Sequence, residues 1–233
     1  MITLEQRQRQ IEEHHGGDGE KAAQRTLDNF ARHHNEDFWT FWQQAVLQRL
    51  PASPKRLLDL GCGTAQFLQA ISQQLPHVKL TGIECAPYML AKQVSLPTDS
   101  TLLVDDLNAP ERECIEPSSQ HIIMANMLLH ELEQPISALL ACHHWLAEDG
   151  LLVVIDMVRQ PLASYLPHAL RDTAVAALSD TERAFHFRQF QEHNRYTADD
   201  LAWLLTECGF EICHRDAIRS GRAARFVVRK APH

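Results

Sequence analysis

The stretch Arg56–Leu68, RLLDLGCGTAQFL, sets a glycine-containing turn directly after strand-forming residues and directly before a helix. Free backbone amides and a helix N-terminus at such a turn attract anions. Yet the turn is entered past the carboxylate of Asp59 and contains no lysine or arginine. Two further acidic positions fall at the ends of apolar runs. Glu84, in GIECAPYML, stands 84 − 63 = 21 residues beyond Gly63, and Asp105 and Asp106 close STLLVDD.

Three ligands suit a turn of this shape, and charge separates them. A triphosphate loop needs GxxxxGK[ST], and the lysine is missing. A dinucleotide fingerprint from Gly61 puts Gln66 at the third glycine position, where its side chain would crowd helix against strand, and Asp59 would repel a pyrophosphate. A ligand with an ammonium group and a sulfonium reverses that sign, which points to S-adenosylmethionine. On this reading Asp59, Gly61, Cys62 and Gly63 hold the amino-acid end. Glu84, at the position where a doubly wound sheet places the acid that accepts ribose hydroxyls, holds the diol. Cys85 lets the ligand approach, and Asp105, Asp106 or the Leu107 amide reads the adenine edge.

The elements that must position these residues alternate. Thr26–Leu50 has apolar residues at mostly helical spacing, interrupted around HHNED, which predicts two short helices. Pro51 and Pro54 end this preface. RLLDL, VKLTGIE, STLLVDD, SQHIIMANMLL and LLVVIDMV then read as strands, separated by the helices AQFLQAISQQL, PYMLAKQVS and PISALLACHHWLAEDG. Strand–helix alternation implies a mostly parallel sheet covered on both faces. Residues 160–195 contain no clear strand and predict a helical cap; Thr197 and Gly209 bound a further helix, and EICHRDAI and ARFVVRK flank RSGR as an antiparallel hairpin. The expected organisation is a helical preface over 1–54 and a core domain over 55–233 carrying the cap at about 160–195.

The 233-residue chain is 45% hydrophobic and has a formal net charge of −8, which disfavours a nucleic-acid partner. No run approaches the roughly 18 apolar residues of a membrane span. Six cysteines without a CxxC pair suit reduced thiols, so a cytoplasmic location is expected. The adjacent histidines at 14–15, 33–34 and 143–144 raise metal binding, but neighbouring side chains on a helix diverge by about a hundred degrees, and no metal site is expected.

LLDLGCGTA, GIECAPYML, LLVDDLNAP and HIIMANMLLHEL occur in the order of the motifs of the class I S-adenosylmethionine-dependent methyltransferases, and the chain resembles that family over roughly residues 55–230. Ala65 stands where that family often has a third glycine, and His121 replaces the usual Asp at the start of the fourth motif. The resemblance implies a Rossmann-like, seven-stranded, doubly wound α/β sheet ending in an antiparallel hairpin. It also implies methyl transfer to a small-molecule acceptor by in-line displacement, with S-adenosylhomocysteine as product. It places Asn126 and His130 near the methyl group, His130 as general base. In the cap, Arg171, Arg188 and Tyr196 are the candidates for holding the acceptor. The partner expectations are a small molecule, no nucleic acid, no membrane, and a homodimer as the assembly to test. Two other classes stay open: a non-catalytic adenosylmethionine-binding subunit, and an NAD(P)-dependent oxidoreductase.

Overall fold

The structure, a computed structural model, describes residues 2–170 and 173–232. Seven strands form one sheet in the order β3-β2-β1-β4-β5-β7-β6. The strands are β1 (Arg56–Leu60), β2 (Lys79–Ile83), β3 (Thr101–Leu103), β4 (Gln120–Asn126), β5 (Leu146–Met157), β6 (Phe210–Ile218) and β7 (Ala223–Lys230). β1 to β5 pair in parallel, and β7 runs antiparallel to both β5 and β6. This is the doubly wound α/β sheet with a terminal hairpin that the sequence predicts. β1 and β2 are buried along nearly their whole length, as near-continuous apolar runs covered on both faces should be. One apolar layer gathers Leu58, Ile123, Val154 and Trp145; the other gathers Leu57, Ile122, Val153 and the aromatic residues Phe38, Trp42 and Phe67.

The helices are α1 (Leu4–His14), α2 (Gly19–His33), α3 (Glu36–Phe41), α4 (Gln66–Gln74), α5 (Pro87–Leu90), α6 (Pro135–Trp145), α7 (Leu162–Leu170), α8 (Asp180–His193) and α9 (Ala198–Glu207). The break around HHNED is real, because the Asn35 side chain accepts the amide of Phe38 and starts α3. Thr197 caps α9 through a reciprocal bond with Asp200.

Several boundaries differ from the sequence reading. α2 and α3 are the two helices expected on either side of HHNED, α1 precedes them, and α3 continues into a π-helical turn over Trp42–Val46. β3 is shorter than STLLVDD, since Asp105 turns its carboxylate onto the amides of Asp106 and Glu111 and pulls the chain out of the sheet. α5 is one turn rather than nine residues, and α6 stops at Trp145. There β5 begins early, and Gly150 admits the close approach of the Gln120 carbonyl, 2.8 Å from where a Cβ would stand.

The order of strands reverses between β1 and β4. In a parallel α/β sheet the crevice beyond the carboxyl ends of such a strand pair is where ligands bind, and Asp59, Gly61 and Asn126 stand there.

Candidate functional site

β1 hands the chain to the turn Gly61–Ala65, in which Gly61 (φ +64°), Gly63 (φ +55°) and Ala65 (φ +63°) are left-handed. At Gly61 a side chain would also meet Leu128 Cδ1 at 3.1 Å. Ala65 occupies the third left-handed position without a glycine and is fully buried. Gln66 does not crowd helix against strand but reaches outward, its amide donating to the Leu27 carbonyl of α2 at 3.3 Å.

Glu84 closes the turn from the side of β2. Its Oε2 accepts the Gly63 amide and its Oε1 the Ala86 amide, both at 2.8 Å. Burial still raises its pKa, only partly offset by those amides. Asp59, 4% exposed, has its pKa driven well above the usual carboxylate range, first by burial and then by the charge of Glu84. Among the described residues neither acid has a lysine or arginine ion-pair partner.

Two cavities meet at this turn. One, of about 340 Å³, is lined by Cys85, Asp106, Leu107 and Leu128 and by Arg188 and Arg195. The other, of about 350 Å³, is lined by Asp59, Cys62, Gly63 and Asn126 and by Arg25, His33 and His34 of the preface. Gly61, Glu84 and Glu131 belong to both.

His130 lies behind Glu131. Its Nδ1 is 2.5 Å from Asp156 Oδ1, and its backbone amide donates to Asp156 Oδ2 at 3.2 Å. Asp156 is fully buried and also accepts the Met157 amide. Burial disfavours the charged imidazole, but the charge and hydrogen bond of Asp156 outweigh it, and the pKa of His130 is raised. The Nε2 atom is 3.8 Å from Glu131 Oε1, and the ring meets His193 edge-on at 5.5 Å. At 3% exposure His130 lines neither cavity.

The remaining expected residues divide. Cys62 and Cys85 are buried, and burial raises both thiols, Cys85 to about 12. Both stand at the cavities as unreactive walls. Asp106 and Leu107 line the first cavity, whereas Asp105 is turned away into its own loop and lines neither. Arg188 reaches the first cavity from α8. Tyr196 does not: its ring packs against the core, and its carbonyl accepts the Arg159 amide at 2.7 Å. Arg171 lies outside the described residues. His121, whose role the sequence leaves open, has a buried Nδ1 without a hydrogen-bond partner.

Sequence reasoning missed the first helix. Arg7, 8% exposed, bonds Asp106 Oδ2 and Glu133 Oε1, each at 3.0 Å, and Gln8 donates to the Cys85 carbonyl. α1 therefore forms a wall of the first cavity. The only signal was an arginine within a polar helix, which solvated helices share. Glu131 was passed over as well, although it is next to His130. Its buried position raises its pKa, but contacts with His15 and His130 prevail and bring it to about 2. His14 and His15, set aside because adjacent side chains diverge, converge on Glu131: His14 is the last residue of α1, and His15 sits beyond the helix end.

A family model described as a methyltransferase domain matches residues 31–215. Trans-aconitate 2-methyltransferase of Streptomyces avermitilis is 31% identical over 110 residues, 46% of this chain and 41% of that protein. Malonyl-[acyl-carrier protein] O-methyltransferase of Halalkalibacterium halodurans is 25% identical over 103 residues, 43% of this chain and 38% of that protein. These matches span about two fifths of either relative's length. In fold, the chain is similar to the plantazolicin methyltransferase BpumL solved with S-adenosylhomocysteine, with a TM-score of 0.66 and 16% identity over 98% of this chain and 99% of the other.

Proposed function

The chain belongs to the class I S-adenosylmethionine-dependent methyltransferases, and from that premise we propose that it transfers a methyl group from S-adenosylmethionine to a small-molecule acceptor. The observation that carries this reading is the pair of buried acids Asp59 and Glu84, at the tips of adjacent strands, without a basic ion-pair partner among the described residues. Two carboxylates held so close favour a ligand that brings positive charge and hydroxyl donors, and disfavour a pyrophosphate.

In this proposal the ligand spans both cavities. Asp59 takes its ammonium group and Arg25, which lines the same cavity, its carboxylate. Each Glu84 oxygen spends one lone pair on a backbone amide and keeps another for a ribose hydroxyl. Asp106 and Leu107 border the adenine, and Asn126 borders the methionine chain. Asp105 is not part of this site.

The reaction is an in-line displacement. An acceptor oxygen or nitrogen attacks the methyl carbon, the carbon–sulfur bond breaks, and its electron pair goes to sulfur, leaving a neutral thioether. Because the sulfonium is already a good leaving group, the chain's work is alignment and removal of the acceptor's proton. We assign that proton to His130 Nε2, with Asp156 holding Nδ1–H and so fixing the tautomer. Arg188, at the first cavity, and Arg171 are the acceptor-holding residues in this reading, in a cap over 160–195 on a core of 55–233, with 1–54 as preface. Relatives named for trans-aconitate and malonyl substrates make a carboxylate-bearing acceptor the first class to try. The six free cysteines accord with a cytoplasmic location, among the described residues no helix is long and apolar enough to cross a membrane, and sedimentation tests the homodimer.

Calorimetry and labelled-methyl transfer test the reading together. Heat with S-adenosylmethionine and S-adenosylhomocysteine, followed by label in a carboxylate-containing metabolite pool, is expected. Heat with NADH alone would overturn it in favour of an oxidoreductase; cofactor binding without transfer to any acceptor would leave a non-catalytic binding subunit.

A further inference from the structure

We propose that His14, His15 and Glu131 bind one divalent transition-metal ion of the class that imidazole favours, such as zinc or cobalt. One ring nitrogen from each histidine and one oxygen of Glu131 all lie within 4.8 Å of one another. His15 Nε2 is 3.5 Å from Glu131 Oε1. The three side chains are partly buried, 19%, 20% and 31% exposed, so an ion there could keep water in its open positions.

α1 ends at His14, with His15 as its cap residue. The two side chains leave the backbone in different directions, yet their ring nitrogens reach one point beside Glu131. Their ring centroids stand 5.6 Å apart.

A second, independent feature is what the His15 ring does with its other nitrogen: Nδ1 is 2.5 Å from the Tyr88 hydroxyl. His14 Nδ1 is 3.3 Å from Glu192 Oε1, so a further carboxylate borders the cluster. Metal-ligating histidines characteristically use the far ring nitrogen in this way, on a carboxylate or another polar group, which fixes the tautomer and aims the free nitrogen at the ion. Two imidazoles and one carboxylate suit zinc, cobalt or nickel and are a poor set for magnesium or calcium, which take oxygen ligands. With bonds of about 2.0–2.2 Å, the ion would draw the three donors together.

The location gives the ion a task. His14 belongs to the first cavity, His15 to the second, and Glu131 to both, so the ion would sit at the seam between them and pin the end of α1 to the loop after β4. The same contacts also describe protonated histidines paired with Glu131 and Glu192, and the experiment separates the two. The site rests on these contacts and not on methyl transfer, and calorimetry with S-adenosylhomocysteine on the same samples distinguishes failure of one from failure of the other.

The untagged full chain, stripped with chelator, is titrated with Co²⁺ while its visible d–d absorption is followed. One equivalent is expected to bind and to be displaced by Zn²⁺. Binding should weaken at least tenfold in Glu131→Gln and His14→Gln, weaken about tenfold in Tyr88→Phe, and stay unchanged in His77→Gln, an exposed histidine elsewhere. No stoichiometric uptake, or uptake indifferent to Glu131→Gln and His14→Gln, overturns the proposal. Should those variants fail to fold, wild-type crystals soaked in Co²⁺ decide: an anomalous peak among the three side chains supports the site, and a peak elsewhere or none overturns it.

Discussion

The amide of Gly63 donates to the carboxylate of Glu84 at 2.8 Å. The glycine turn after β1 and the acid after β2 are thus one unit, with the acid holding the turn in shape while presenting its remaining lone pairs to the crevice.

Glu84→Ala therefore has two expected effects. It should remove the proposed charge-assisted hydrogen bonds to the ribose, on the order of 1.5–3 kcal/mol of cofactor affinity, and loosen the turn. Calorimetry with S-adenosylhomocysteine checks the first and thermal melting the second. Unaltered affinity would remove Glu84 from the cofactor site.

Asp156→Asn isolates the orientation of His130. The amide side chain is nearly isosteric but keeps one oxygen, enough for the Met157 amide on Oδ1 or the His130 amide on Oδ2 and not both, and it no longer stabilises an imidazolium. Turnover should fall by about 10²–10⁴-fold, as should that of His130→Gln, with cofactor affinity within about twofold. Equal losses of turnover and cofactor affinity would assign the pair to packing instead.

Gly82→Ala probes how tightly the cofactor turn is packed from below. A Cβ there would stand 2.6 Å from Cys62 Sγ and 2.7 Å from Leu102 Cδ2. A loss of about 1–3 kcal/mol is expected by urea unfolding, with part of it restored in the double variant with Cys62→Ala. No rescue would mean that Leu102 and Leu68, the latter 3.0 Å from the added Cβ, carry the clash.

Acid should weaken the preface through His34. This ring is stacked on Phe30 and Phe67, and its Nε2 is buried without a partner. Burial lowers its pKa from 6.5 to about 4. The unfolded chain then binds more protons than the folded one between those values, so stability is lost as pH falls from about 6.5 towards 4. His34→Phe, which suits the aromatic surroundings, should gain of order 1–2 kcal/mol relative to wild type at pH near 5 over its difference at neutral pH. A pH-independent difference between the two proteins would contradict this.

The sheet was legible because its central strands are apolar runs between glycine and proline, a pattern that burial on both faces imposes. The positions of Asp59, Gly63 and Glu84 followed, since strand ends in such a sheet point to one crevice. Other parts were hidden for identifiable reasons. Asp105 and Asp106 are adjacent in the chain, yet one caps its own loop and the other faces Arg7; nothing local in sequence tells which. The role of α1 depends on a partner 99 residues away. The convergence of His14 and His15 escaped because it is defined by Glu131, far away in the chain, and not by the two neighbours alone.

Arg7 has a consequence for traffic through the site. It is held by carboxylates from two separate loops, and the chain after α1 passes through Gly16 and Gly17, both left-handed and with open space around them. Breaking both ion pairs would free α1 to move about the glycine pair, and salt, which screens them, is expected to quicken exchange of the proposed donor.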